Sequence, residues 1–444
     1  MKIPAVFYDV DKFRLILPVY CAMISELQQK YGDFMNETDL RKLYYQDIEL
    51  YQAAFSKRFH ADTSIKPDFR IGENQAFFTQ SDTLVRTMYS ILRLDRDIMS
   101  LCYHLPGIAL RQYSRKCLID EIVLTNEIEG IHSSRKEIGE ALSVLESQSE
   151  RKNKRIRFIG MVNKYLRLSQ SERISLQTCE DVRKLYDELI LDEVLAENKN
   201  HMPDGKIFRK DQTELTSPAG KVIHSGVMPE SRIIHMMSEA LRFLNDDSME
   251  PLYRICAFHY MMEYIHPFYD GNGRLGRFIV SDRIAGILNP LLACRLSQTI
   301  QENIRQYYDA FRVCNDFRNM GEITPFMTMM LSMIEKAGTD LKRSLEEKII
   351  TWKRYEELLK HDEFPGMSEQ MFPVYNMLIQ AALFSETGIS TGELQDNLGV
   401  SYGTVRKRLA NVRNHSLLVR EMRGRENFYR IDIQQMDKLL LHML

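Results

Sequence analysis

The stretch that decides the fold of this chain reads His266-Pro267-Phe268-Tyr269-Asp270-Gly271-Asn272-Gly273-Arg274-Leu275-Gly276-Arg277. It lies between two windows with the apolar spacing of helices, one ending near Ile265 and the other covering Leu275 to Leu288. Pro267 stops the first helix, and Gly271-Asn272-Gly273 make the turn into the second. The sequence therefore predicts two helices joined by a loop whose backbone N–H groups can converge.

This loop has the parts of a phosphate-binding site. Converging amides at a helix N-terminus attract anions. Arg274 and Arg277 lie three residues apart on one helix face, and each guanidinium can pair with phosphate oxygens. Asp270 offers a hard oxygen ligand for Mg²⁺, and His266 can accept a proton near neutral pH. Together these parts indicate phosphoryl or nucleotidyl transfer from a nucleoside triphosphate.

The segment resembles the signature of the Fic family, His-Pro-Phe-x-Asp/Glu-Gly-Asn-Gly-Arg-x-x-Arg, and every fixed position matches. The resemblance implies that His266 is the general base that deprotonates a target hydroxyl and that Asp270 holds Mg²⁺. It also implies that the turn and first arginine bind the α- and β-phosphates of ATP, while the second arginine binds the γ-phosphate. The ATP-binding residues implied in the loop are Gly271, Asn272, Gly273, Arg274, Gly276 and Arg277.

Two further segments resemble parts of the same family. Tyr307-Tyr308-Asp309-Ala310 and Asn315 resemble a helix of the adenine pocket, which implies that Tyr308 stacks on the base and Asn315 hydrogen-bonds it. Glycines and prolines in 204–229 separate two short strand-like stretches, which predicts a β-hairpin. It resembles the family's flap, where an edge strand docks a target segment. The docking residues implied are Thr213, Glu214, Leu215 and Thr216, and the second strand is predicted at Lys221–His224.

Thr125-Asn126-Glu127-Ile128-Glu129-Gly130 ends a predicted helix over residues 114–131, with Gly130 as its terminator. The helix dipole disfavours a negative charge in the last turn, so Glu129 calls for a cationic partner. The segment resembles the family's inhibitory Ser/Thr-x-x-x-Glu-Gly/Asn helix, formed here by Thr125, Glu129 and Gly130. The resemblance implies a bidentate pair between Glu129 and Arg277 that holds this arginine away from the γ-phosphate. A role of the same glutamate in AMP removal stays open.

The C-terminal segment predicts a helix over Ser390 to Gly399, a tight turn, a second helix over Thr404 to His415, and two strands within Leu417 to Ile431. This order resembles a winged helix-turn-helix. Residues 401–430 hold eight Lys/Arg and two Glu, which favours phosphate contacts with DNA. A protein-binding or dimerisation module is the alternative. The candidate DNA-binding residues are Arg406, Lys407, Arg408 and Arg413.

The chain as a whole is predicted to be mainly α-helical, a Fic-type bundle with a small β-hairpin flap and a winged-helix domain. Residues 1–100 form a helical region of unknown role, interrupted by a polar break at His60–Asn74. Residues 101–340 form the Fic domain, which includes the inhibitory helix 114–131, the flap 204–229 and the catalytic loop 266–277. A helical linker, 341–367, leads to the winged helix-turn-helix at 368–444.

Composition limits the cellular compartment and the partners expected for the protein. The net charge is −2 over 444 residues, so the overall charge of the protein does not attract polyanions. Its seven cysteines are scattered without a CxxC pair, which argues against a disulfide framework or a thiolate metal site and favours a reducing cytoplasm. The apolar run Leu15–Ile24 is too short to span a bilayer and is interpreted as a core helix, so a soluble protein without a membrane partner is expected.

The resemblance implies a protein adenylyltransferase that uses ATP and Mg²⁺ to attach AMP to a Tyr, Thr or Ser hydroxyl. An intact Gly-Asn-Gly-Arg favours AMP with loss of pyrophosphate, and transfer of another nucleotide such as UMP stays open. The partner is a protein target, the chain itself being one candidate; DNA and a second copy of the chain are further candidates. The alternatives are a DNA-binding transcriptional regulator whose Fic domain senses a nucleotide, and a Fic enzyme for phosphotransfer or de-AMPylation. An intact His266 favours an enzyme, because a sensor needs no base.

Overall fold

The structure, a computed structural model, describes residues 39–146, 156–216, 222–361, 364, 366–423 and 426–443. The core helix predicted at Leu15–Ile24 lies outside this part of the chain. The described residues are mostly helical, which confirms the predicted fold class. The helices are α1 Leu40–Gln46, α2 Ile48–Phe59, α3 Asp82–Tyr103, α4 Gly107–Ile128, α5 Arg135–Glu146, α6 Ile159–Ser169, α7 Cys179–Leu189, α8 Leu191–Glu197, α9 Glu230–Leu244, α10 Pro251–Ile265, α11 Asn272–Ile287, α12 Pro290–Ala293, α13 Leu296–Glu302, α14 Ile304–Cys314, α15 Thr324–Leu358, α16 Phe372–Phe384, α17 Thr391–Leu398, α18 Tyr402–Asn414 and α19 Ile433–Met443.

The strands are short and form small antiparallel sheets. They are β1 Ser64–Ile65, β2 Arg70–Ile71, β3 Asn74–Gln75, β4 Phe78–Thr79, β5 Glu214–Thr216, β6 Val222–Ser225, β7 Ile389–Ser390, β8 Leu418–Arg423 and β9 Glu426–Ile431. β1 pairs with β4, β2 with β3 and β5 with β6, while β7, β9 and β8 form a three-stranded sheet in that order. Among the helices described, none combines the length and apolar content that crossing a bilayer requires.

The N-terminal region contains short strands in addition to the predicted helices. Strands β1 to β4 lie in and just after the polar break, and each has two residues, too few to show an alternating pattern. The region also docks on the rest of the protein: Phe77 and Ile323 are joined through their backbones at 2.7 Å. A buried ion pair joins Arg58 Nη1 to Glu322 Oε2 at 2.9 Å. Because α3 runs continuously to Tyr103 and packs along α15, the predicted boundary at residue 100 falls inside a helix.

The centre of the fold is the pair α10 and α11. α10 is buried on nearly every side, as its almost continuous apolar sequence requires. α11 is also buried and begins at Asn272, three residues before the predicted start at Leu275. The difference arises because the Asn272 side chain bonds the backbone of Phe268, which places the turn before residue 272. α15 continues through the predicted boundary at residue 340 and supports α3, α14 and α10.

The helix that carries the predicted inhibitory motif is longer than expected. α4 begins at Gly107, ahead of the predicted start at 114, and ends at Ile128. Glu129 is its C-terminal cap rather than part of its last turn, and Gly130 follows with a φ of 72°. A positive φ at this position suits glycine, so Gly130 ends the helix as predicted.

The C-terminal segment places α17, a turn at 399–401, α18 and the hairpin β8–β9 in the predicted order. Ser390 caps α17 in a box with Glu393, and Gly399 ends it with a φ of 64°. α16 precedes these elements and packs against α4. The hairpin turn at 424–425 lies outside the described residues, and the winged helix-turn-helix stays a prediction.

Candidate active site

The loop between α10 and α11 is fixed by contacts on both sides. His266 has a left-handed φ of 53° and Gly271 one of 82°. Asn272 closes the loop, because its Oδ1 accepts a hydrogen bond from Phe268 N at 3.0 Å and its Nδ2 donates one to Phe268 O at 2.8 Å. Phe268 is fully buried and stacks on Tyr186 with ring centroids 3.7 Å apart. The loop is therefore preorganised, with its backbone held against α7.

Arg209 is a second anchor of this loop that sequence reasoning missed. Its side chain is fully buried, with Nε donating to His266 O at 2.9 Å and Nη2 donating to Val227 O at 3.0 Å. Nη1 donates to Asp211 O at 2.7 Å. One guanidinium thus ties the loop to the base of the β5–β6 hairpin. No local pattern signals this role, because its acceptors are backbone carbonyls that only the fold brings together.

His266, the predicted base, is 8% exposed. Burial, and to a smaller extent the nearby His224 and Arg209, lower the pKa of His266 to about 3, although the backbone of Glu263 acts in the other direction. The imidazole is consequently neutral at physiological pH, the form that accepts a proton. His224, which lies on β6, is a neighbour that the sequence did not single out.

The two arginines of the loop have opposite surroundings. Arg274 is 1% exposed, and its Nε, Nη1 and Nη2 have no hydrogen-bond partner among the described residues. Its nearest carboxylate is Asp270, with Arg274 Nη2 and Asp270 Oδ1 3.5 Å apart. Asp270 itself is partly exposed and also faces His201 Nδ1 at 3.8 Å. Arg274 is therefore a buried cation whose N–H donors lack hydrogen-bond acceptors among the described residues, a feature that suits an anion site.

Arg277 is fully engaged by the end of α4. Its Nη2 lies 2.7 Å from Glu129 Oε1, its Nε donates to Thr125 Oγ1 at 2.8 Å, and Nη2 also donates to Thr125 O at 2.9 Å. The structure thus brings the three predicted residues together, although the fork is shared between Glu129 and Thr125 rather than given to Glu129 alone. Burial by itself would lower the pKa of Arg277, but the Glu129 charge raises it.

The Glu129 carboxylate also lies on the glycine turn. A β-carbon at Gly273 would collide with Glu129 Oε1, so this oxygen sits directly over the α-carbon at the N-terminus of α11. A helix N-terminus favours negative charge. The Glu129 carboxylate therefore fills part of the space in which the loop and Arg277 would bind an anion.

A buried polar cluster lies beneath Arg277 that sequence reasoning did not assign. Burial raises the pKa of Glu263 to about 8, the Glu129 charge raises it further, and Arg277 opposes the shift. His259 Nε2 is hydrogen-bonded to Tyr307 Oη at 2.7 Å, and burial lowers the pKa of His259 to about 3. Both groups are neutral near pH 7, so Arg277 keeps Glu129 as its principal counter-ion. Polar residues within the apolar sequence of α10 were the available signal.

The predicted adenine-pocket residues lie on one helix and its cap. Tyr308, on α14, is 49% exposed. Its pKa is raised to about 12 by burial and then by Glu129, which places its phenol close to the inhibitory motif. Asn315 caps α14, and its Oδ1 accepts a hydrogen bond from Tyr260 Oη at 2.7 Å. Its Nδ2 lies 3.5 Å from His224 Nδ1, so the pocket reaches the hairpin.

The predicted flap is a hairpin in the described residues. β5 and β6 pair antiparallel, with Glu214 opposite Ser225, Leu215 opposite His224 and Thr216 opposite Val222. Gly226 N donates to Thr213 O at 3.0 Å, so Thr213 closes the base. The tip at 217–221, including the predicted strand start at Lys221, lies outside the described residues. β5 pairs only with β6 in the sheets described, so its other edge is unpaired.

The arrangement defines a helical domain with a glycine turn at a helix N-terminus, flanked by a neutral histidine and a carboxylate. Residues 177–281 match the family model described as "Fic/DOC family". The chain therefore contains a Fic domain, and the matched segment spans the hairpin, α10, the loop and most of α11.

Similar proteins carry consistent descriptions. The chain is 24% identical over 242 residues to "Protein adenylyltransferase fic-1" of Caenorhabditis briggsae, covering 53% of this chain and 44% of that protein. It is 24% identical over 325 residues to "Protein adenylyltransferase Fic" of Drosophila grimshawi, covering 70% and 59%. The chain thus spans about half the length of the curated relatives it matches.

Solved structures of Fic proteins also align with this chain. A Fic family protein from Desulfovibrio desulfuricans G20 is 22% identical, covers 77% of this chain and 96% of its own, and has a TM-score of 0.42. Fic-1 from C. elegans is 18% identical, with 74% and 93% coverage and a TM-score of 0.39.

Proposed function

We propose that this chain is a protein adenylyltransferase, which transfers AMP from ATP to a Tyr, Thr or Ser hydroxyl of a protein. The observation that carries the proposal is Arg274, a buried guanidinium whose donors lack acceptors beside a turn of backbone amides. Burying guanidinium N–H groups without hydrogen-bond acceptors costs about 1 to 3 kcal/mol, which a bound phosphate would offset. The relatives named protein adenylyltransferases support the choice of reaction.

The reaction follows from the placement of the neutral histidine. The target oxygen attacks the α-phosphorus of ATP, the bond from this phosphorus to the bridging oxygen breaks, and pyrophosphate leaves. His266 takes the hydroxyl proton as the new phosphorus–oxygen bond forms, which its neutral imidazole permits. Asp270 would hold Mg²⁺, which would neutralise charge on the phosphates. Its partly exposed carboxylate beside Arg274 fits that role.

The surroundings of the loop suit the two substrates. Tyr308 and Asn315, seven residues apart and hence on one face of α14 and its cap, would contact the adenine. The unpaired edge of β5, Thr213 to Thr216, would add an extended target segment by backbone hydrogen bonds. Such pairing would present a hydroxyl to His266, because Arg209 ties the base of the hairpin to the same loop.

We further propose that Glu129 inhibits the enzyme. Its carboxylate engages Arg277 and lies over Gly273, so the third phosphate of ATP and this side chain would compete for the same donors. ATP that leaves Glu129 in place would bind with its phosphates in a non-productive position. Displacing Glu129 would release Arg277 for the γ-phosphate and align the α-phosphorus with the target.

The experiment that tests the reaction uses ATP labelled at either the α- or the γ-phosphate. The Glu129→Gly protein is incubated with each label, and protein-bound radioactivity is measured and mapped by mass spectrometry. Adenylyl transfer puts label on protein from the α-position only. Label from the γ-position alone would replace the proposal with phosphotransfer, and loss of AMP from pre-modified protein would replace it with de-AMPylation.

The base is tested in the same assay. His266→Ala is expected to abolish labelling, because the other proton acceptor of the loop, Asp270, would be occupied by Mg²⁺. His235→Ala is the matched control, since His235 is exposed on α9 away from the loop. Undiminished labelling in His266→Ala would remove the assignment of this residue as the base.

We propose nucleic-acid binding as a second function, located in the C-terminal segment. Arg406, Lys407 and Arg413 are exposed on α18, and none of them pairs with a carboxylate among the described residues. Free cations on the helix after a tight turn suit phosphate contacts. Duplex DNA binding is expected to weaken with salt and to weaken further in Arg406→Gln with Lys407→Gln, as measured by fluorescence anisotropy. Salt-independent binding, or none, would leave a protein-binding module.

A further inference from the structure

A second cluster of arginines surrounds a cavity at the far end of α11. The cavity has a volume of about 410 Å³ and is lined by Arg173, Gln177, Asn245, Arg254, Asp282 and Arg283, among others. The nucleotide-binding loop lies at the N-terminus of α11 and this cavity at its C-terminal half. With a rise of about 1.5 Å per residue, roughly 15 Å of helix separates Gly273 of the loop from Arg283 of the cavity. The cavity is therefore distinct from the active site.

The guanidinium groups of this cavity are incompletely satisfied. Arg283 Nε and Nη2 and Arg254 Nε are buried and have no hydrogen-bond partner among the described residues. Arg254 Nη1 pairs with Asp247 Oδ1 at 2.9 Å, but the ion pairs of the described residues include neither Arg173 nor Arg283. Burying guanidinium N–H groups without acceptors is unfavourable. The cavity wall thus offers donors in excess of the acceptors that the fold supplies.

Arg173 adds charge without using the cavity's acceptors. Its Nη1 donates to Leu168 O at 3.1 Å and to Glu172 O at 3.2 Å, and its Nη2 donates to Ala285 O, so its fork is fixed by three backbone carbonyls. Burial lowers the pKa of Arg283, and the charges of Arg254 and Arg173 lower it further, whereas Asp282 raises it. Three like charges are consequently held close together, and an anion between them would relieve their repulsion.

Asp282 selects among anions. Its Oδ1 accepts a weak hydrogen bond from Ile174 N at 3.4 Å, and its Oδ2 is buried without a partner among the described residues. Burial raises the pKa of Asp282 to about 6, so the group is mostly an ionised acceptor at neutral pH. An anion that carries a hydroxyl can donate to Asp282 while its other oxygens accept from the arginines. Phosphate meets both conditions, and 410 Å³ leaves room for a small organic group on it.

We propose that this cavity is a second ligand site, which binds a phosphate group, either free or as a small monoester, through Arg254 and Arg283 with Asp282 accepting from its hydroxyl. The proposal does not depend on the adenylyltransferase reaction, because no residue of the loop takes part. α11 carries the loop at one end and the cavity residues at the other. A ligand in the cavity would therefore contact the helix that carries the loop.

The test measures binding of inorganic phosphate, ribose 5-phosphate and uncharged ribose to the full chain by titration calorimetry. All measurements use an Arg274→Gln background, which removes the free guanidinium of the nucleotide loop. Saturable phosphate binding is expected, and Arg283→Gln should weaken it by about tenfold or more. Arg242→Gln is the matched control, since Arg242 is an exposed arginine outside the cavity and should leave binding unchanged. Tighter binding of ribose 5-phosphate identifies a monoester site, and equal or weaker binding identifies a site for the free ion.

Asp282→Asn gives a result that loss of structure cannot produce. The substitution keeps an acceptor, adds a donor and removes a negative charge, so phosphate is expected to bind about threefold to tenfold tighter. The phosphate affinity of Asp282→Asn tests the proposal if the Arg283→Gln protein does not fold. The proposal is overturned by the absence of saturable binding up to about 10 mM phosphate. Unchanged affinity in a folded Arg283→Gln protein, or weaker binding in Asp282→Asn, overturns it equally.

Discussion

Replacing Glu129 by glycine is expected to raise the rate of adenylyl transfer by about 30- to 150-fold. Glu129 Oε1 accepts a hydrogen bond from Nη2 of the nearly fully buried Arg277 at 2.7 Å, and the glutamate side chain is 28% exposed. A charge-assisted hydrogen bond of this kind contributes about 2 to 3 kcal/mol. ATP must displace it before Arg277 can bind the γ-phosphate. Each 1.4 kcal/mol is a factor of ten, which gives the stated range.

The assay is kcat/KM for incorporation of label from α-labelled ATP into the protein or a target. Glu127→Gly is the matched control, because Glu127 lies two residues away on the same helix end and is exposed. It introduces the same helix-weakening residue without touching Arg277. An equal rate in wild type and Glu129→Gly would refute the reasoning, and so would an equal increase in Glu127→Gly, which would trace the effect to a loosened α4.

Three other substitutions test the remaining contacts of the site. Arg274→Lys keeps the charge but loses the planar fork, so the Kd of ATP measured by calorimetry is expected to rise about tenfold, and an unchanged Kd would contradict the phosphate assignment. Glu263→Gln should gain stability relative to wild type as pH rises. The folded pKa of Glu263, about 8, exceeds the unfolded value of 4.5, so the wild-type carboxyl stabilises fully below pH 4.5 and loses that contribution as pH rises through about 8. Melting temperatures of both proteins from pH 4.5 to 8.5 check this, and parallel curves would contradict it. Arg209→Lys cannot reach all the carbonyls that Arg209 bonds, so kcat should fall about tenfold or more, and an unchanged kcat would show that the loop needs no such anchor.

The sequence predicted the parts of the site that local chemistry determines. Proline and glycine interrupt helices in most sequence contexts. Pro267 and Gly271 alone were therefore enough to locate the loop between α10 and α11. The apolar spacing of the flanking windows likewise gave the ends of α10 and α11 to within about a residue. The start of α11 was misplaced, because the bonds from Asn272 to Phe268 involve a side chain whose partner is four residues back.

The parts that the sequence did not predict are those that depend on contacts distant along the chain. Arg209 bonds the carbonyl of His266, and nothing within its own segment distinguishes it from a surface arginine. The same holds for Glu263, whose pKa depends on its burial and on a neighbour from α4. The sequence did not predict the strand pairs β1–β4 and β2–β3 for another reason: strands of two residues leave no periodic signal.

Arg274 and Arg277 show why such distant contacts matter for function. Their spacing predicts equal roles on one helix face, yet one guanidinium has no hydrogen bond among the described residues and the other is bonded by Thr125 and Glu129. The difference originates in α4, more than a hundred residues earlier in the chain. It implies that the loop can accept two phosphates without disturbing α4, whereas a third must compete with Glu129. Wild type should therefore bind ADP about as tightly as ATP, and only Glu129→Gly should prefer ATP. A clear preference for ATP in the wild type, measured by calorimetry, would mean that Arg277 is already available and that its contact with Glu129 is not inhibitory.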